Sequence, residues 1–590
     1  MQHCLYGNSS MFLPLLAMLK ALQQMNAGLP DTCVQSVPLA SLALRYALVL
    51  ASLGTLFFLP FLGAVHLFDW DEINFAESAR EMLVTGNYAR VQINFEPFWE
   101  KPPLFIWLQA LSMHLFGINE FAARFPNAIF GLLTLLTLLL LGTRHFDAQF
   151  GFFWALAYFG SFLPHFYFKT GIINPVFNFF IFLGVYEIFR ASFATDRCTR
   201  VWHLLLAGTF VGLGIMTKGP VALLVSGLSG AIYAGVMFYR TQVWRLTLSD
   251  GVIFVLVSLL VSALWYGVET AQNGAWFLKA FISYQIGLFR EPVAGHGQPF
   301  YYHFVVLLFG VFPASFIAIP AFRSSAEEKS ERAAWRLMMI ILFGVVLTIF
   351  SISTTKIVHY SSLCYFPLTF LAAYQIHQVQ TGKVKWSGWL SVLLIAFGVL
   401  IALLLMLFPI ALQNVDRILP LVKDELVKAV LQSPVQWGGY EWAIGAGYLM
   451  MVLLSGRYLW QSHFKRGFGL LFFSTALALH LFTLFVAPKV EAYTQAEPIR
   501  FYKSLQNEDC YIVTGYKSYA PYFYARFRPH QCPSSLDHEW LATGPITKPA
   551  YFVAKLDGAE WYQQFPQLKE IRRVGGYVFF KREVPASPQP

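Results

Sequence analysis

The chain has 590 residues, of which 57% are hydrophobic and only 13% are charged, and its net charge is +10. A water-soluble protein of this length needs many more charged residues to cover its surface, so the composition excludes a soluble globular class. No nucleic-acid-binding motif accompanies the positive charge, which instead suits anionic lipid headgroups or a phosphate-bearing substrate. The sequence therefore predicts an integral membrane protein.

Apolar segments recur along most of the chain after residues 1–42, which we interpret as a cytoplasmic lead-in. Each segment has about 18 to 22 residues, enough to cross a hydrocarbon layer of roughly 30 Å as a helix. Thirteen such helices are predicted, and they begin near residues 43, 121, 150, 172, 202, 219, 250, 301, 335, 358, 387, 439 and 467. Residues 43–487 are therefore predicted to form a mostly α-helical transmembrane module.

Lys and Arg residues concentrate in alternate short loops between these helices. The loops rich in them contain Arg144, Arg190, Arg197, Arg200, Arg240, Arg245, Arg323, Lys329, Arg332, Lys383, Lys385, Arg457, Lys465 and Arg466. Because short loops rich in basic residues stay in the cytoplasm, we place these loops inside the cell. The N-terminus is then cytoplasmic, and the tail lies on the periplasmic side of a bacterial inner membrane.

Long connections are expected on the outer face, over residues 67–120 and 268–300, and such connections usually carry function. The tail, residues 488–590, combines strand-like runs such as residues 577–580 with a helix that begins near Pro498. It is predicted to be a small extracytoplasmic α/β domain. Cys510 and Cys532 lie in this tail, where an oxidising compartment would permit a disulfide; two independent thiols are the alternative.

The first outer loop begins with a predicted amphipathic helix. Asp69 and Asp71 stand at its start, and Gly86 stands just after its end. One interpretation is structural, because a carboxylate of either aspartate can cap the helix by accepting backbone N–H groups. The other interpretation is catalytic, with Asp71 and the adjacent Glu72 facing a substrate. The local sequence leaves both open.

Four cations are predicted at the same outer boundary of the membrane. Lys101 precedes two prolines, Arg124 enters the second span, Lys218 ends the fifth helix, and Lys356 lies between the ninth and tenth helices. A cation this deep is costly unless it meets an anion. Cations near carboxylates fit a phosphate headgroup. The alternative is that their long side chains anchor helix ends at the interface.

Further polar residues near this boundary are candidate substrate contacts. They are Arg80, Asn174, Tyr301, Tyr302, His359 and Tyr360, and His165 and His303 would also suit a sugar site. The structural alternative is that Tyr and His at helix ends are interface anchors.

Ordered motifs connect these residues. They are Asp71-Glu72, Ala76-Glu77, Arg80-Glu81-Met82, Glu100-Lys101-Pro102, Leu115-Phe116-Gly117, Arg124-Phe125, Lys218-Gly219-Pro220, Pro299-Phe300-Tyr301-Tyr302, and Lys356 followed by Tyr360 and Pro367. Over roughly residues 65–370, their order and spacing resemble the aminoarabinose lipid A transferase and protein O-mannosyltransferase superfamily. The resemblance implies a GT-C fold, and the helix count with an outer C-terminal domain suits the aminoarabinose transferases.

The resemblance implies a glycosyltransferase whose donor is a sugar on a polyprenyl monophosphate, undecaprenyl phosphate in a bacterium. The acceptor would be a hydroxyl or phosphate of lipid A, a protein or a polysaccharide on the outer face. The catalytic carboxylate maps onto Asp71, with inversion at the anomeric carbon. Lys101, Lys218 or Lys356, with Arg124, would stabilise the leaving lipid phosphate.

Two positions depart from the family pattern. Asn174 stands where many relatives have an aspartate, and asparagine cannot act as a base although it can hydrogen-bond. Gln285 stands where some relatives have a histidine that binds a metal together with a glutamate, here Glu100. No cofactor is therefore required, and a divalent metal stays open with Glu100 as its only candidate ligand. Otherwise Glu100 serves to hold Lys101.

Two other functions compete with transfer. A secondary transporter or lipid flippase usually places ionisable groups near the membrane midplane and often has repeated halves. Here the charges gather at one boundary, and we detect no internal repeat. The other alternative is an inactive relative that only binds polyprenyl lipid, which Asn174 and Gln285 favour.

Overall fold

The computed structural model describes residues 36–291, 295–323, 330–528 and 537–584, with side chains from residue 41 onwards. Most of the predicted lead-in therefore lies outside the described residues. Cys532 does too, so its pairing with Cys510 stays a prediction.

The first half of the described chain is helical except for one small hairpin. The helices are α1 (Ser36–Phe58), α2 (Asp71–Thr85), α3 (Leu104–Phe116), α4 (Glu120–His145), α5 (Ala148–Phe159), α6 (Phe162–Tyr167), α7 (Asn174–Ala191), α8 (Arg197–Lys218), α9 (Val221–Thr241) and α10 (Leu248–Asn273). The hairpin between α2 and α3 pairs β1 (Gln92–Ile93) with β2 (Glu96–Pro97).

The helical region continues to residue 485. Its helices are α11 (Trp276–Arg290), α12 (Tyr302–Gly310), α13 (Ala314–Ala318), α14 (Glu331–Ile352), α15 (Tyr365–Gln380), α16 (Gly388–Gln413), α17 (Val415–Ile418), α18 (Glu425–Leu431), α19 (Trp442–Trp460) and α20 (Phe464–Phe485). A short 3-10 helix, Val358–Cys364, precedes α15.

A helix lies at or near each of the thirteen predicted starts, but fewer meet a length and hydropathy criterion for spanning. Within the described residues, eight do so: α1, α4, α8, α9, α10, α14, α16 and α20. A ninth is the pair α12 and Ala314–Phe322, bent by 104°, if both parts form one span. The others, α5, α7, α15 and α19, are too short or not apolar enough. The protein is thus multi-spanning, and the count of thirteen stays a prediction.

Aromatic side chains and close helix contacts pack the bundle. Trp154 of α5 is fully buried, and Phe182 of α7 stacks on Phe366 of α15 with ring centroids 4.3 Å apart. A side chain on Gly142 of α4 would lie 2.4 Å from the Cα atom of Gly151 in α5, so only glycine permits this approach. This packing brings the start of α7, the end of α8 and the 3-10 helix together beneath the first loop.

The predicted helix in the first loop is confirmed. It begins at Asp71, and Gly86 ends it in the left-handed region, with φ at 71° and its N–H donating to Met82 O. It is not an amphipathic surface helix, however, because residues 72–82 are all buried. Helices α3 and α4 and the tail cover it, and the polar side chains of α2 therefore need partners inside the protein.

The tail contains helices around a four-stranded sheet. Its elements are α21 (Ala487–Thr494), α22 (Ala496–Ser504), β3 (Tyr511–Thr514), α23 (Ala520–Tyr524), α24 (His538–Thr543), β4 (Ala550–Lys555), α25 (Ala559–Gln563), β5 (Lys569–Val574) and β6 (Tyr577–Arg582). The strand order is β3-β4-β6-β5, with β3 and β4 parallel and the other pairs antiparallel.

The two faces of this sheet pack against different partners, because successive strand side chains alternate between faces. Phe552 and Phe580 belong to the same buried cluster as Leu541 of α24. Tyr551 and Phe579 belong to the same buried cluster as the core of the first loop. The tail is therefore joined to α2 and α3 by a continuous apolar contact. We call the side of the bundle that carries α2, α3, α11 and the tail the tail face.

Candidate active site

Asp71 stands at the first position of α2 with its side chain 36% exposed. Its Oδ2 atom lies 3.5 Å from Nε2 of His359, which the 3-10 helix carries. The residue before the helix is Trp70, and no side-chain cap is formed there. The Asp69 carboxylate instead accepts hydrogen bonds from Ser518 and the Tyr519 N–H. The capping interpretation is therefore not supported for either aspartate.

Several charged side chains lie near His359. Burial, and then the charges of Lys218 and Lys101, lower the pKa of His359 to about 3, although Asp71 opposes them. The imidazole is therefore neutral at pH 7, and an N–H on Nε2 would point at the Asp71 carboxylate. Because all three charged groups act on one imidazole, the first loop, the end of α8 and the 3-10 helix meet at one place.

The direct contacts of Lys218 are with neutral groups. Its ammonium donates to Asn174 Oδ1 at 3.1 Å and lies 4.8 Å from the ring centroid of Tyr360. Asn174 also donates through Nδ2 to His359 O at 2.9 Å. An aspartate at position 174 could accept from Lys218 but could not make the second bond. Asn174 thus ties Lys218 to the 3-10 helix without neutralising its charge.

Lys101 faces an aromatic side chain of α11. Its Nζ atom lies 5.5 Å from the ring centroid of Tyr284, and Trp99 meets the same ring edge-on with centroids 5.7 Å apart. Burial, and then the nearby Glu100 carboxylate, raise the pKa of the Tyr284 phenol above its usual range. Glu100 thus lies beside Tyr284. The second long loop therefore contributes to the site through Tyr284, which sequence reasoning missed although it adjoins Gln285.

The donor set around Glu100 does not fit a metal ion. Among the residues that the structure describes, no group of three or more His, Cys, Asp or Glu side chains is arranged to hold one. Gln285 lies near Gly219, next to Lys218, and presents an amide rather than an imidazole. One carboxylate with an amide is a poor ligand set for the usual divalent metals.

Glu72 and Arg124 were predicted to act in catalysis and phosphate binding, but the structure places them in a buried ion pair. Arg124 Nε and an Nη donate to the Glu72 carboxylate at 3.0 and 2.7 Å. Backbone N–H groups of Phe68 and Gly171 also donate to this carboxylate. Arg124 donates further to the carbonyls of Leu62, Val65 and His66. Neither group has capacity left for a substrate, so we assign both to structure.

Arg80 was predicted as a substrate contact, but its guanidinium is also buried and is paired with a carboxylate. It makes a bidentate pair with Glu77 at 2.7 and 2.6 Å and donates to Phe527 O at 3.0 Å. Burial, and then the Glu77 carboxylate, raise the pKa of the adjacent Glu81 to about 9. Glu77, Arg80 and Glu81 therefore form a buried polar cluster that fixes α2 to the tail.

The surroundings of Lys356, and of Tyr301 and Tyr302 at the start of α12, differ from those of Asp71. Lys356 is buried, donates to Ser353 O, and lines an open cavity of about 670 Å³ with residues 297–300. That lining does not include Asp71, Lys101 or Lys218. Tyr301 is 63% exposed, and Tyr302 begins α12 beside it. Within the described residues, no hydrogen bond or ion pair joins Lys356, Tyr301 or Tyr302 to Asp71, Lys101 or Lys218, so their roles at the substrate stay predictions.

Two histidines that were considered for a sugar site are in the packed interior. His165 donates from Nδ1 to Phe159 O at 2.8 Å and packs between Phe57 and Phe58. His303 contacts the Ser361 hydroxyl at 3.0 Å. Both are buried, so their roles are structural.

Comparison with known proteins supports the resemblance seen in the motifs. A family model described as dolichyl-phosphate-mannose-protein mannosyltransferase matches residues 100–265. The undecaprenyl phosphate-alpha-4-amino-4-deoxy-L-arabinose arabinosyl transferase 2 of Proteus mirabilis is 27% identical over 72% of this chain and 75% of its own length. The corresponding transferase of Pectobacterium carotovorum is 29% identical over 61% of this chain and 64% of its own length.

Solved structures show the fold. ArnT from Cupriavidus metallidurans bound to undecaprenyl phosphate has a TM-score of 0.72 at 16% identity, covering 92% of this chain and 99% of that one. Its apo state has a TM-score of 0.70 at 18% identity, covering 93% and 100%. The chain therefore has the ArnT fold. The superfamily resemblance and the expected enzyme class, a glycosyltransferase that uses a lipid-linked sugar, are confirmed.

Proposed function

We propose that this protein transfers a sugar from undecaprenyl phosphate to an acceptor at the tail face of the bundle, with Asp71 as the catalytic carboxylate. One observation carries the proposal: a partly exposed carboxylate lies beside a neutral histidine and two lysines drawn from separate parts of the chain. Such a cluster offers a base next to positive charge, which is what transfer from a phosphate leaving group needs.

The lysines suit the leaving phosphate because their charges are not already neutralised. Lys218 contacts an amide oxygen and an aromatic ring, and Lys101 faces the ring of Tyr284. The bond between the anomeric carbon and the phosphate oxygen breaks as the acceptor oxygen attacks from the opposite side. The lipid phosphate leaves as an anion beside the lysines, and Asp71 takes the proton of an acceptor hydroxyl. Inversion at the anomeric carbon follows.

The named relatives support 4-amino-4-deoxy-L-arabinose as the donor sugar. The charge distribution of the short loops supports a periplasmic position for the tail face in a bacterial inner membrane. Lipid A is therefore the acceptor to examine first, followed by exported polysaccharides and proteins.

The test is mass spectrometry of lipid A and surface glycans from cells that lack the gene and carry either the wild type, Asp71→Asn or Asp416→Asn. Asp416 is an exposed aspartate of the short helix α17 and is the matched control. We expect one sugar mass to disappear with Asp71→Asn and to persist with Asp416→Asn. An unchanged sugar mass in Asp71→Asn cells would remove Asp71 from catalysis.

A second experiment measures how tightly purified protein binds undecaprenyl phosphate, the lipid part of the donor. Lys101→Ala should weaken binding by about ten-fold, equivalent to about 1.4 kcal/mol, through loss of one charge-assisted contact. Lys279→Ala removes an exposed lysine of α11 and should leave the affinity unchanged. Equal affinities of the two variants would exclude Lys101 from the phosphate site. Donor binding by the wild type without any sugar transfer would instead indicate a non-catalytic lipid-binding protein.

A further inference from the structure

The tail forms hydrogen bonds with the short segment, residues 67–70, that leads into α2. The Leu67 N–H donates to the Tyr524 hydroxyl at 2.7 Å, and the Leu67 carbonyl accepts from Gln495 Nε2 at 3.0 Å. Two residues later, the Asp69 carboxylate accepts from the Ser518 hydroxyl and from the Tyr519 N–H, the latter at 3.2 Å. Four hydrogen bonds from the tail therefore act on two residues of this segment, Leu67 and Asp69.

Ser518 is oriented for this contact. Its side chain is buried, and its oxygen accepts from the Ala520 N–H at 3.1 Å, which leaves the hydroxyl proton to donate to Asp69. On the other side of Asp69, Trp70 has the ammonium of Lys517 4.1 Å from its ring centroid and the ring of Tyr519 edge-on at 6.5 Å. The residue immediately before Asp71 is therefore also held by the tail.

We propose that Ser518 is a positioning residue for Asp71, acting through Asp69. Asp69, Trp70 and Asp71 are consecutive, so the direction in which Asp71 enters the site depends on how the first two are held. Misplacement of a reacting group by about 1 Å can lower a rate about a hundred-fold. This inference rests on the proposed function of Asp71 and adds to it that the tail completes the active site.

The alternative is that the tail is only attached to the bundle, and the chain offers a matched control for that alternative. Lys503 of α22 pairs with Glu120 at the start of α4, with 3.1 Å between Nζ and Oε1. This contact also joins the tail to the bundle, but it does not touch residues 67–71. A substitution of Lys503 weakens attachment and removes its cation–π contact with Tyr524, but it leaves the Ser518–Asp69 hydrogen bond in place.

The experiment compares Ser518→Ala, Ser518→Thr and Lys503→Ala as purified full-length proteins in the transfer assay. For Ser518→Ala we expect kcat to fall by about ten-fold or more with the donor KM within two-fold, because the lost bond reaches a carboxylate. Ser518→Thr keeps a hydroxyl and should restore most of kcat, and Lys503→Ala should match the wild type. Equal kcat values in Ser518→Ala and Lys503→Ala would overturn the inference.

A second measurement separates this inference from the proposed function. Amide hydrogen exchange of residues 66–76 should become faster in Ser518→Ala and not in Lys503→Ala, whatever reaction the protein performs. If the wild type transfers no sugar, the proposed function fails, and the exchange result still decides whether Ser518 holds the Asp71 segment. Unchanged exchange in Ser518→Ala would refute the positioning role even if the wild type is active.

Discussion

The assignment of Glu72 to structure rather than catalysis makes a sharp prediction for Glu72→Gln. The Glu72 side chain is 5% exposed and accepts from two Arg124 nitrogens and two backbone N–H groups. Glutamine keeps the shape, but it removes the charge that balances Arg124. Its NH₂ group also faces groups that can only donate. The substitution therefore leaves a buried guanidinium without an anion.

The expected magnitude follows from the burial of the pair. Removing one partner of a buried ion pair typically costs about 3 to 5 kcal/mol of folding free energy. Despite burial, which raises it, Arg124 holds the pKa of Glu72 below its usual range. The stabilisation is therefore present above about pH 4.5, where an unfolded glutamate is ionised, and is lost only as the solution becomes more acidic.

The matched control is Glu120→Gln. Glu120 also pairs with a cation, Lys503, but that lysine is 40% exposed, so the pair should contribute at most about 1 kcal/mol. The assay heats detergent-solubilised protein and measures the fraction that stays monodisperse. Glu72→Gln should cease to be monodisperse at a clearly lower temperature than Glu120→Gln. At a temperature where both are folded, kcat per folded molecule should lie within a few-fold of the wild type.

The refuting result is specific. If Glu72→Gln survives heating as the wild type does but loses kcat by orders of magnitude, Glu72 is a catalytic group and its pairing with Arg124 does not describe the working enzyme.

Two further predictions follow from other polar contacts. Burial and the Glu77 carboxylate raise the pKa of Glu81 to about 9, so at pH 7 Glu81 is protonated in the folded protein but ionised in the unfolded chain. The free energy of unfolding of the wild type should therefore fall as pH rises from about 4.5 to 9. Glu81→Gln should remove that decline when melting temperatures are compared at pH 6 and pH 9. If the melting temperatures of the variant and the wild type fall by the same amount, the prediction is wrong. Asn174→Asp places a carboxylate beside Lys218, so it should raise the donor KM by about ten-fold, or about 1.4 kcal/mol. An unchanged or lower KM would show that Lys218 does not bind the phosphate.

Local signals in the sequence predicted part of this architecture. The start of α2 at Asp71 and its end before Gly86 follow from helix-terminus preferences, and the structure confirms both. Hydropathy located a helix near each predicted start, but several of these helices, such as α5, are shorter than the length expected of a span and are mostly buried. Such helices are covered by neighbours on all sides, which a measure of apolar content does not detect.

Partner choice was not predictable. Hydropathy indicated that Arg124 lies deep and needs an anion, and Glu72 had been identified in the same loop. The pairing was nevertheless missed, because 52 residues separate the two and their contact depends on how α2 packs against α4. Tyr284 and Ser518 were missed for a related reason: neither belongs to a charged motif, and both reach the site only through the fold.

The structure separates charges that hold the fold from charges that can act on a substrate by what each one faces. Arg124 and Arg80 each meet a carboxylate and backbone carbonyls, so their charges are balanced internally. Lys218 meets the Asn174 amide and an aromatic ring, so its charge stays available for an anion. This gives a physical reason for asparagine at position 174, because an aspartate would neutralise Lys218 and give up the bond to His359. A departure from the family pattern that first favoured an inactive protein is therefore compatible with a working phosphate site.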